Sequence, residues 1–188
     1  MIAYAFCGSF CTLSHSLAAL RRLRADGYDD ILPIMSDAVY ETDTRFWRAE
    51  EFRRTVEGLC GRSIIHTVVD AEPLGPAISA DALVIAPCTG NTLAKMANAI
   101  TDGPVTMAAK AHLRSDRPTL IALASNDSLS AGLHNIATLL ARKNVYFVPM
   151  RQDDPVRKPH SLVADFTQLS EALEDAMGGR RQRRPLFL

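Results

Sequence analysis

Cys88-Thr-Gly-Asn-Thr92 sets a thiol, two hydroxyls, a carboxamide and a glycine side by side, directly after the apolar run of residues 82–86. Such groups donate and accept hydrogen bonds without carrying charge, which suits a ribityl chain, a sugar or a heterocycle. The apolar run has the pattern of a strand covered on both faces, and Pro87 is expected to stop its ladder because proline has no N–H. Leu93, Met96, Ala97 and Ile100 then mark a helix. Strand C-terminal ends are where open α/β sheets bind ligands. The plain alternative is a well-capped polar turn, but the segment is richer in polar groups than capping needs.

The same composition recurs at other strand ends. Gly8 and Ser9, within Cys7-Gly-Ser-Phe-Cys-Thr12, precede a helix whose free N–H groups suit a phosphate. Ser36 follows a second strand, and Ser125-Asn-Asp-Ser128 the strand at residues 119–124. This is neither GxGxxG nor a nucleoside-triphosphate loop; together the four ends would form one mononucleotide cradle. Among the cations, Arg45 in Thr42-Asp-Thr-Arg is expected at a helix start, where an anion is favoured. Lys95 lies one turn into the helix after the cofactor turn, and Lys110 sits in Ala-Ala-Lys-Ala. For each, the alternative is a solvated surface cation. Asp43 either orients Arg45 or caps the helix, with the cap favoured. Cys7 and Cys60 read as small core residues, while Cys88 lacks a locatable base for nucleophilic work. The five histidines show no metal-ligand spacing, so no metal site is expected.

These groups need a scaffold, and the periodicity supplies one. Strands are expected at residues 2–6, 31–35, 64–69 (weaker), 82–86, 119–124 and 145–148. Helices are marked by Leu13, Leu17, Leu20 and Leu23 up to Gly27; by Ala49, Phe52, Val56 and Leu59, capped by Asp43 or Thr44 and closed before Gly61; and by Pro104 through Arg114, with Asp102 as cap. Two more carry Leu129, Leu133, Ile136 and Leu140, and then Leu169, Leu173 and Met177 behind an Asp165/Gln168 capping box. This order predicts one doubly wound α/β domain over residues 1–178, with a mostly parallel sheet of about six strands and helices on both faces. Residues 151–161, with Pro155 and Pro159, read as a long loop: a surface excursion, a lid or an oligomer contact. Residues 179–188, basic and then apolar, read as a frayed end rather than a docking peptide.

The bulk numbers set limits. The 188 residues are 47% hydrophobic, enough for a full core, and 21 Lys+Arg balance 21 Asp+Glu. Zero net charge argues against nucleic acid or an anionic membrane as main partner. There is no apolar run long enough for a membrane span and no basic leader, so a cytoplasmic protein with reduced thiols is expected.

The chain resembles the flavoprotein superfamily of homo-oligomeric flavin-containing cysteine decarboxylases. The resemblance rests on Gly8-Ser9 with Cys11-Thr12, Glu41-Thr-Asp-Thr-Arg-Phe46, Ala71-Glu-Pro-Leu-Gly-Pro76, Ala86-Pro-Cys-Thr-Gly-Asn-Thr92, Met107-Ala-Ala-Lys-Ala111 and Lys143-Asn-Val-Tyr-Phe-Val-Pro149. The Pro-Cys-Thr-Gly-Asn-Thr turn is the superfamily signal. Thr-Asp-Thr-Arg-Phe and Ala-Glu-Pro-Leu-Gly-Pro point to its dipicolinate-synthase branch, found in spore-forming bacteria. The resemblance implies an FMN site. In it Gly8, Ser9 and Phe10 meet the phosphate end, and Ser36 lies beside the phosphate or ribityl chain. Pro87, Cys88, Thr89 and Asn91 approach the ribityl and ring, and Ser125 and Asn126 close the cradle. It also implies oxidation of a dihydropyridine dicarboxylate to its aromatic form in the mother cell of a sporulating bacterium, with Arg45, Lys95 and Asn91 as the reacting-site residues. The implied partners are further copies of the chain and a dehydrogenase-like A-type subunit carrying NADP. Gly90 departs from the decarboxylase branch, which has alanine there, and Ser125 from the prenyltransferase branch, which has arginine. His66 is the nearest match, in order, to the decarboxylase histidine. A flavin-dependent decarboxylase and a non-catalytic subunit supporting a dehydrogenase remain as alternatives.

Overall fold

The computed structural model describes residues 1–75, 77–179 and 185–188. Five parallel strands lie in the order β2-β1-β3-β4-β5: β1 (Ile2–Phe6), β2 (Ile31–Met35), β3 (Ala82–Cys88), β4 (Thr119–Ser125) and β5 (Val145–Phe147). β6 (Met150–Asp154) and β7 (Lys158–Ala164) form an antiparallel hairpin, and β7 pairs with the far end of β4, at Ala124 and Ser125.

Alternation along β1 divides the interior in two. Tyr4 and Phe6 face a core closed by α1 (Leu13–Ala25), α3 (Ala49–Cys60) and α8 (Leu169–Met177). Ala3, Ala5 and Cys7 face a core closed by α4 (Val68–Ala71), α5 (Gly90–Ala97), α6 (Pro104–Leu113) and α7 (Leu133–Leu140). This is the period-two signature of a strand covered on both sides. α2 (Asp37–Glu41) is a single turn after β2. Tyr4, α1 and β3 are tied by a buried chain of bonds: the Tyr4 hydroxyl contacts Ser16 Oγ at 3.0 Å, and Ser16 Oγ donates to the Ala86 carbonyl at 2.5 Å.

The structure corrects the sequence reading in several places. Residues 64–69 are not a strand: Ile65 makes one bridge to Ile34, and the chain then turns into α4 behind an N-cap at Thr67. Pro87 does not stop its ladder, because β3 shifts register and resumes pairing at Cys88 with Leu123. Residues 151–161 are the β6–β7 hairpin rather than a loop; Pro155 falls in its turn, and Pro159 keeps its carbonyl as acceptor for Gln152 at 2.8 Å. α7 begins at Leu133, since residues 129–132 form a tight turn. Helix α3 starts at Ala49, not near Asp43 or Thr44, although Asp43 does cap it from a distance by accepting the Ala49 N–H at 2.8 Å. Asp102 does not cap α6. Gly103 is the N-cap, and Thr106 Oγ1 accepts the Gly103 N–H. At the C-terminus, Phe187 bridges Met150 and the Leu186 carbonyl accepts the Met150 N–H at 2.9 Å, so this end docks on the edge of β6. The basic run of residues 180–184 lies outside the described residues.

Candidate functional site

In a 2-1-3-4-5 parallel order, chain connections leave the sheet in opposite directions on either side of the gap between β1 and β3, and a crevice opens outside their C-terminal ends. In this molecule that crevice is a cavity of about 370 Å³. Gly8 after β1, Ser36 with Asp37 and Ala38 after β2, Thr89, Asn91, Thr92 and Lys95 of the β3–α5 unit, and residues 102–106 at the start of α6 line it.

Local chemistry shapes each wall. Thr89 caps α5, its Oγ1 accepting the Thr92 N–H at 3.2 Å, which leaves the N–H groups of Gly90 and Asn91 at the helix mouth. Pro104 at the first turn of α6 fits because that position has no intrahelical N–H to lose. Two helix starts therefore converge on the cavity with their positive ends. Ser36 Oγ is buried with no partner among the described residues. A buried hydroxyl left without a bond is costly, and a phosphate or ribityl oxygen in this cavity would satisfy it. At Gly8 a β-carbon would stand 3.3 Å from the Ala38 β-carbon and 3.6 Å from the Phe10 ring, so glycine here keeps the backbone open to a ligand. The lining offers neutral hydroxyls, amides, backbone N–H groups and one ammonium, beside the carboxylates of Asp37 and Asp102, the latter paired with Lys95. The donors fit an FMN-type mononucleotide.

Lys95 stands at the mouth, its Nζ 2.8 Å from Asp102 Oδ2, and its hydrogen bond holds the Asp102 carboxyl below the usual range. Ser125 and Asn126 do not line this cavity; Ser125 packs against the start of α5, where a β-carbon at Gly90 would lie 2.5 Å from its Oγ. Cys88 and Pro87 are buried beneath the turn, so their side chains support the cradle from below. Burial pushes the Cys88 thiol well above its ordinary range and the Cys7 thiol up to about 11. Neither is a thiolate nucleophile at neutral pH. Cys7 and Cys60 are core residues, as their setting in sequence suggests. Ser9 and Phe10 lie at the start of a 3₁₀ turn before α1, with Ser9 accepting the Thr12 hydroxyl through its carbonyl.

Arg45 is not in a helical first turn. It is exposed in the 42–48 segment, its guanidinium 4.8 Å from the centre of the Phe46 ring, and it does not line the cavity. Thr44 Oγ1 accepts the N–H groups of Phe46 and Trp47, which turns this segment back, and Trp47 Nε1 donates to Ser14 Oγ on α1. Lys110 lines a separate groove of about 400 Å³ between α5 and α6. His66 stacks on Tyr40, ring centroids 3.8 Å apart, and Arg53 covers the Tyr40 ring at 4.6 Å. Sequence reasoning passed over the start of α6 as a wall of the site. The signal was present in Gly103-Pro104 followed by Thr106, a helix start facing the same sheet edge.

Sheet order and crevice define a doubly wound α/β protein with a cavity at its topological switch point. The chain belongs to the Flavoprotein family, whose profile it matches over residues 19–171. It is 40% identical over 176 residues to the B-type subunit of dipicolinate synthase from Bacillus subtilis (strain 168), covering 94% of this chain and 88% of that protein. The crystal structure of the same B-type subunit from Bacillus halodurans C superposes with a TM-score of 0.89 at 38% identity, covering 100% of this chain and 95% of the other. The FMN-dependent cysteine decarboxylase SpaF shares the fold, with a TM-score of 0.69 at 23% identity over 93% of this chain and 95% of that one.

Proposed function

We propose that this chain is the flavoprotein-like subunit of a dipicolinate synthase, binding FMN in the switch-point cavity and converting a dihydropyridine dicarboxylate to the aromatic pyridine dicarboxylate. The observation that carries the reading is the cavity between the ends of β1 and β3, with its unpartnered Ser36 hydroxyl and two converging helix starts, in a chain 40% identical to a protein of that name. Bound flavin would supply hydride acceptance. The residues here supply placement: Gly8, Ser9, Phe10 and Ser36 with the start of α6 hold the phosphate end, Thr89 and Asn91 the ribityl and ring, and Ser125 and Asn126 the far wall. Aromatisation favours the reaction, so orientation of the substrate is the main requirement on the protein.

Lys95 is the cation best placed to meet a substrate carboxylate, exchanging its Asp102 partner for it. Arg45, on the exposed 42–48 segment, joins it when a neighbouring copy or the substrate closes that face. The working assembly is a homo-oligomer of this chain together with a dehydrogenase-like A-type subunit that carries NADP, in the cytoplasm of a sporulating mother cell. Dipicolinate formation by the two reconstituted subunits tests the reading. A charge-assisted hydrogen bond is worth roughly 1.5–3 kcal/mol, so Lys95→Ala and Arg45→Ala are each expected to slow the substrate step by about 10- to 150-fold. Arg45→Lys should recover only part, because bidentate geometry is lost. Release of CO₂ instead of dipicolinate, or full activity of the partner alone, would overturn the reading. Light scattering that gives a monomer with FMN fully bound would overturn the homo-oligomer.

A further inference from the structure

We propose that the helical layer around α6 is a two-fold interface between copies of this chain: an acidic, apolar ridge on α4 of each copy seats in the basic, apolar groove between α5 and α6 of the other. This gives the homo-oligomer of the reading above its contact, and it rests on that reading. On this face of the sheet α6 lies between α4 and α5. The ridge follows from what α4 buries. Ala71 and Leu74 are fully buried in the core. A β-carbon at Gly75 would run into the Ala111 carbonyl, so the turn after α4 is pressed onto α6. Val69, Asp70 and Glu72 are left on the outside. Val69 is 79% exposed. Asp70 is held by Thr67, whose hydroxyl donates to Oδ2 at 2.6 Å and accepts the Asp70 N–H at 3.0 Å. Neither Asp70 nor Glu72 has a cation partner among the described residues.

The groove carries the opposite charge. It holds about 400 Å³, and Met96, Ala109 and Leu113 are part of its apolar lining. Ala99, at φ of 58°, turns the chain back at the end of α5. The Ile100 N–H then reaches the Lys95 carbonyl at 2.9 Å, and the Ile100 side chain stays 46% exposed beside the groove. Arg142 crosses from the end of α7 to donate to the Ala97 carbonyl at 2.8 Å. Lys110 and Arg114, one turn apart on α6, are exposed and have no carboxylate partner among the described residues. No carboxylate among the described residues lines the groove. An exposed apolar side chain between two carboxylates without cations thus stands near an apolar groove rimmed by cations without carboxylates. The two match in polarity and in charge. They flank one helix on opposite sides, so a two-fold axis over α6 brings each ridge to the other copy's groove and makes the same contact twice. Thr106 lines both this groove and the switch-point cavity, so the contact abuts a wall of the proposed cofactor site.

Sedimentation velocity of the purified chain at low salt, with FMN in excess, tests this on two charge reversals. The ridge variant carries Asp70→Lys and Glu72→Lys, and the groove variant Lys110→Glu and Arg114→Glu. Each reversal alone sets like charges together twice per contact. It should weaken that contact by about 100-fold or more, read as a fall in mass to the species without it. An equimolar mixture of the two variants should assemble again, because every ridge then meets a groove of opposite sign. That rescue separates an interface from a folding defect. The milder Val69→Ser should weaken assembly without touching a charge, and added salt should weaken the wild-type assembly. Wild-type mass in both variants, or a mixture that stays dissociated, would overturn the interface while the homo-oligomer stands. Variants that keep their mass but no longer bind the A-type subunit would give the groove to that partner and overturn the proposal. A monomeric wild type would overturn the homo-oligomer itself.

Discussion

At residue scale, Gly90 links the chemistry of the turn to the identity of the protein. Its missing side chain is the space that Ser125 and Asp127 occupy, which gives a physical reason why this chain has glycine where the decarboxylase branch has alanine. Gly90→Ala must push one of those groups away, and overpacking of this kind costs about 1–3 kcal/mol. We expect a lower midpoint in urea unfolding and a weakened substrate step. Gly90→Ala combined with Ser125→Gly, which removes the nearest clash, should regain stability. An unperturbed midpoint in Gly90→Ala would contradict the tight packing. The small polar residues of this turn are easy to read from sequence because their types are unusual directly after an apolar strand. The burial of Cys88 is not, since nothing in a thiol's sequence setting tells whether it faces the ligand or the core.

Among the elements, those with a strong local signal are where the sequence puts them. The Leu13, Leu17, Leu20 and Leu23 stripe is buried in α1, Gly61 closes α3 with φ of 64°, and Pro104 opens α6. Elements defined by distant contacts are not. The β6–β7 hairpin is polar on its exposed strand and depends on pairing with the end of β4. Residues 64–69 alternate too weakly to compete with the Thr67 cap. Asp43 caps α3 from six residues ahead, beyond the reach of any capping pattern, because the 42–48 segment folds back on Thr44. The Tyr4–Ser16–Ala86 chain shows what such distant ties contribute. Ser16→Ala takes the hydroxyl donor from the buried Ala86 carbonyl, while the Tyr4 hydroxyl keeps the Ser16 backbone carbonyl at 3.1 Å, and should cost roughly 1–3 kcal/mol. Thermal unfolding checks this; a change within about 0.5 kcal/mol, the usual range for surface sites, would show that the bonds are replaced by water.

At the scale of the whole molecule, acid stability depends on a residue remote from the cavity. His112 is buried in α6, and its Nε2 lies 3.0 Å from the Pro118 carbonyl while Nδ1 has no partner among the described residues. Burial lowers its pKa below the usual 6.5. The unfolded chain therefore takes up a proton before the folded one does. The histidine's contribution is fully present above pH 6.5 and is lost as pH falls through the depressed folded value. Unfolding midpoints should fall below that pH, and His112→Gln should flatten the dependence; an equally steep fall in the variant would place the acid sensitivity elsewhere.

The central claim is that the crevice outside β1 and β3 holds FMN. Titration of the purified protein with FMN, followed by flavin fluorescence and by thermal unfolding, tests it directly. The account predicts saturation at one FMN per chain and a stabilisation of about 2.7 kcal/mol at a hundredfold excess over Kd. Both should be lost in a folded Gly8→Leu variant, whose side chain would enter the space bounded by Ala38 and Phe10. No saturable binding by the folded wild type, or binding that survives Gly8→Leu unchanged, would contradict it.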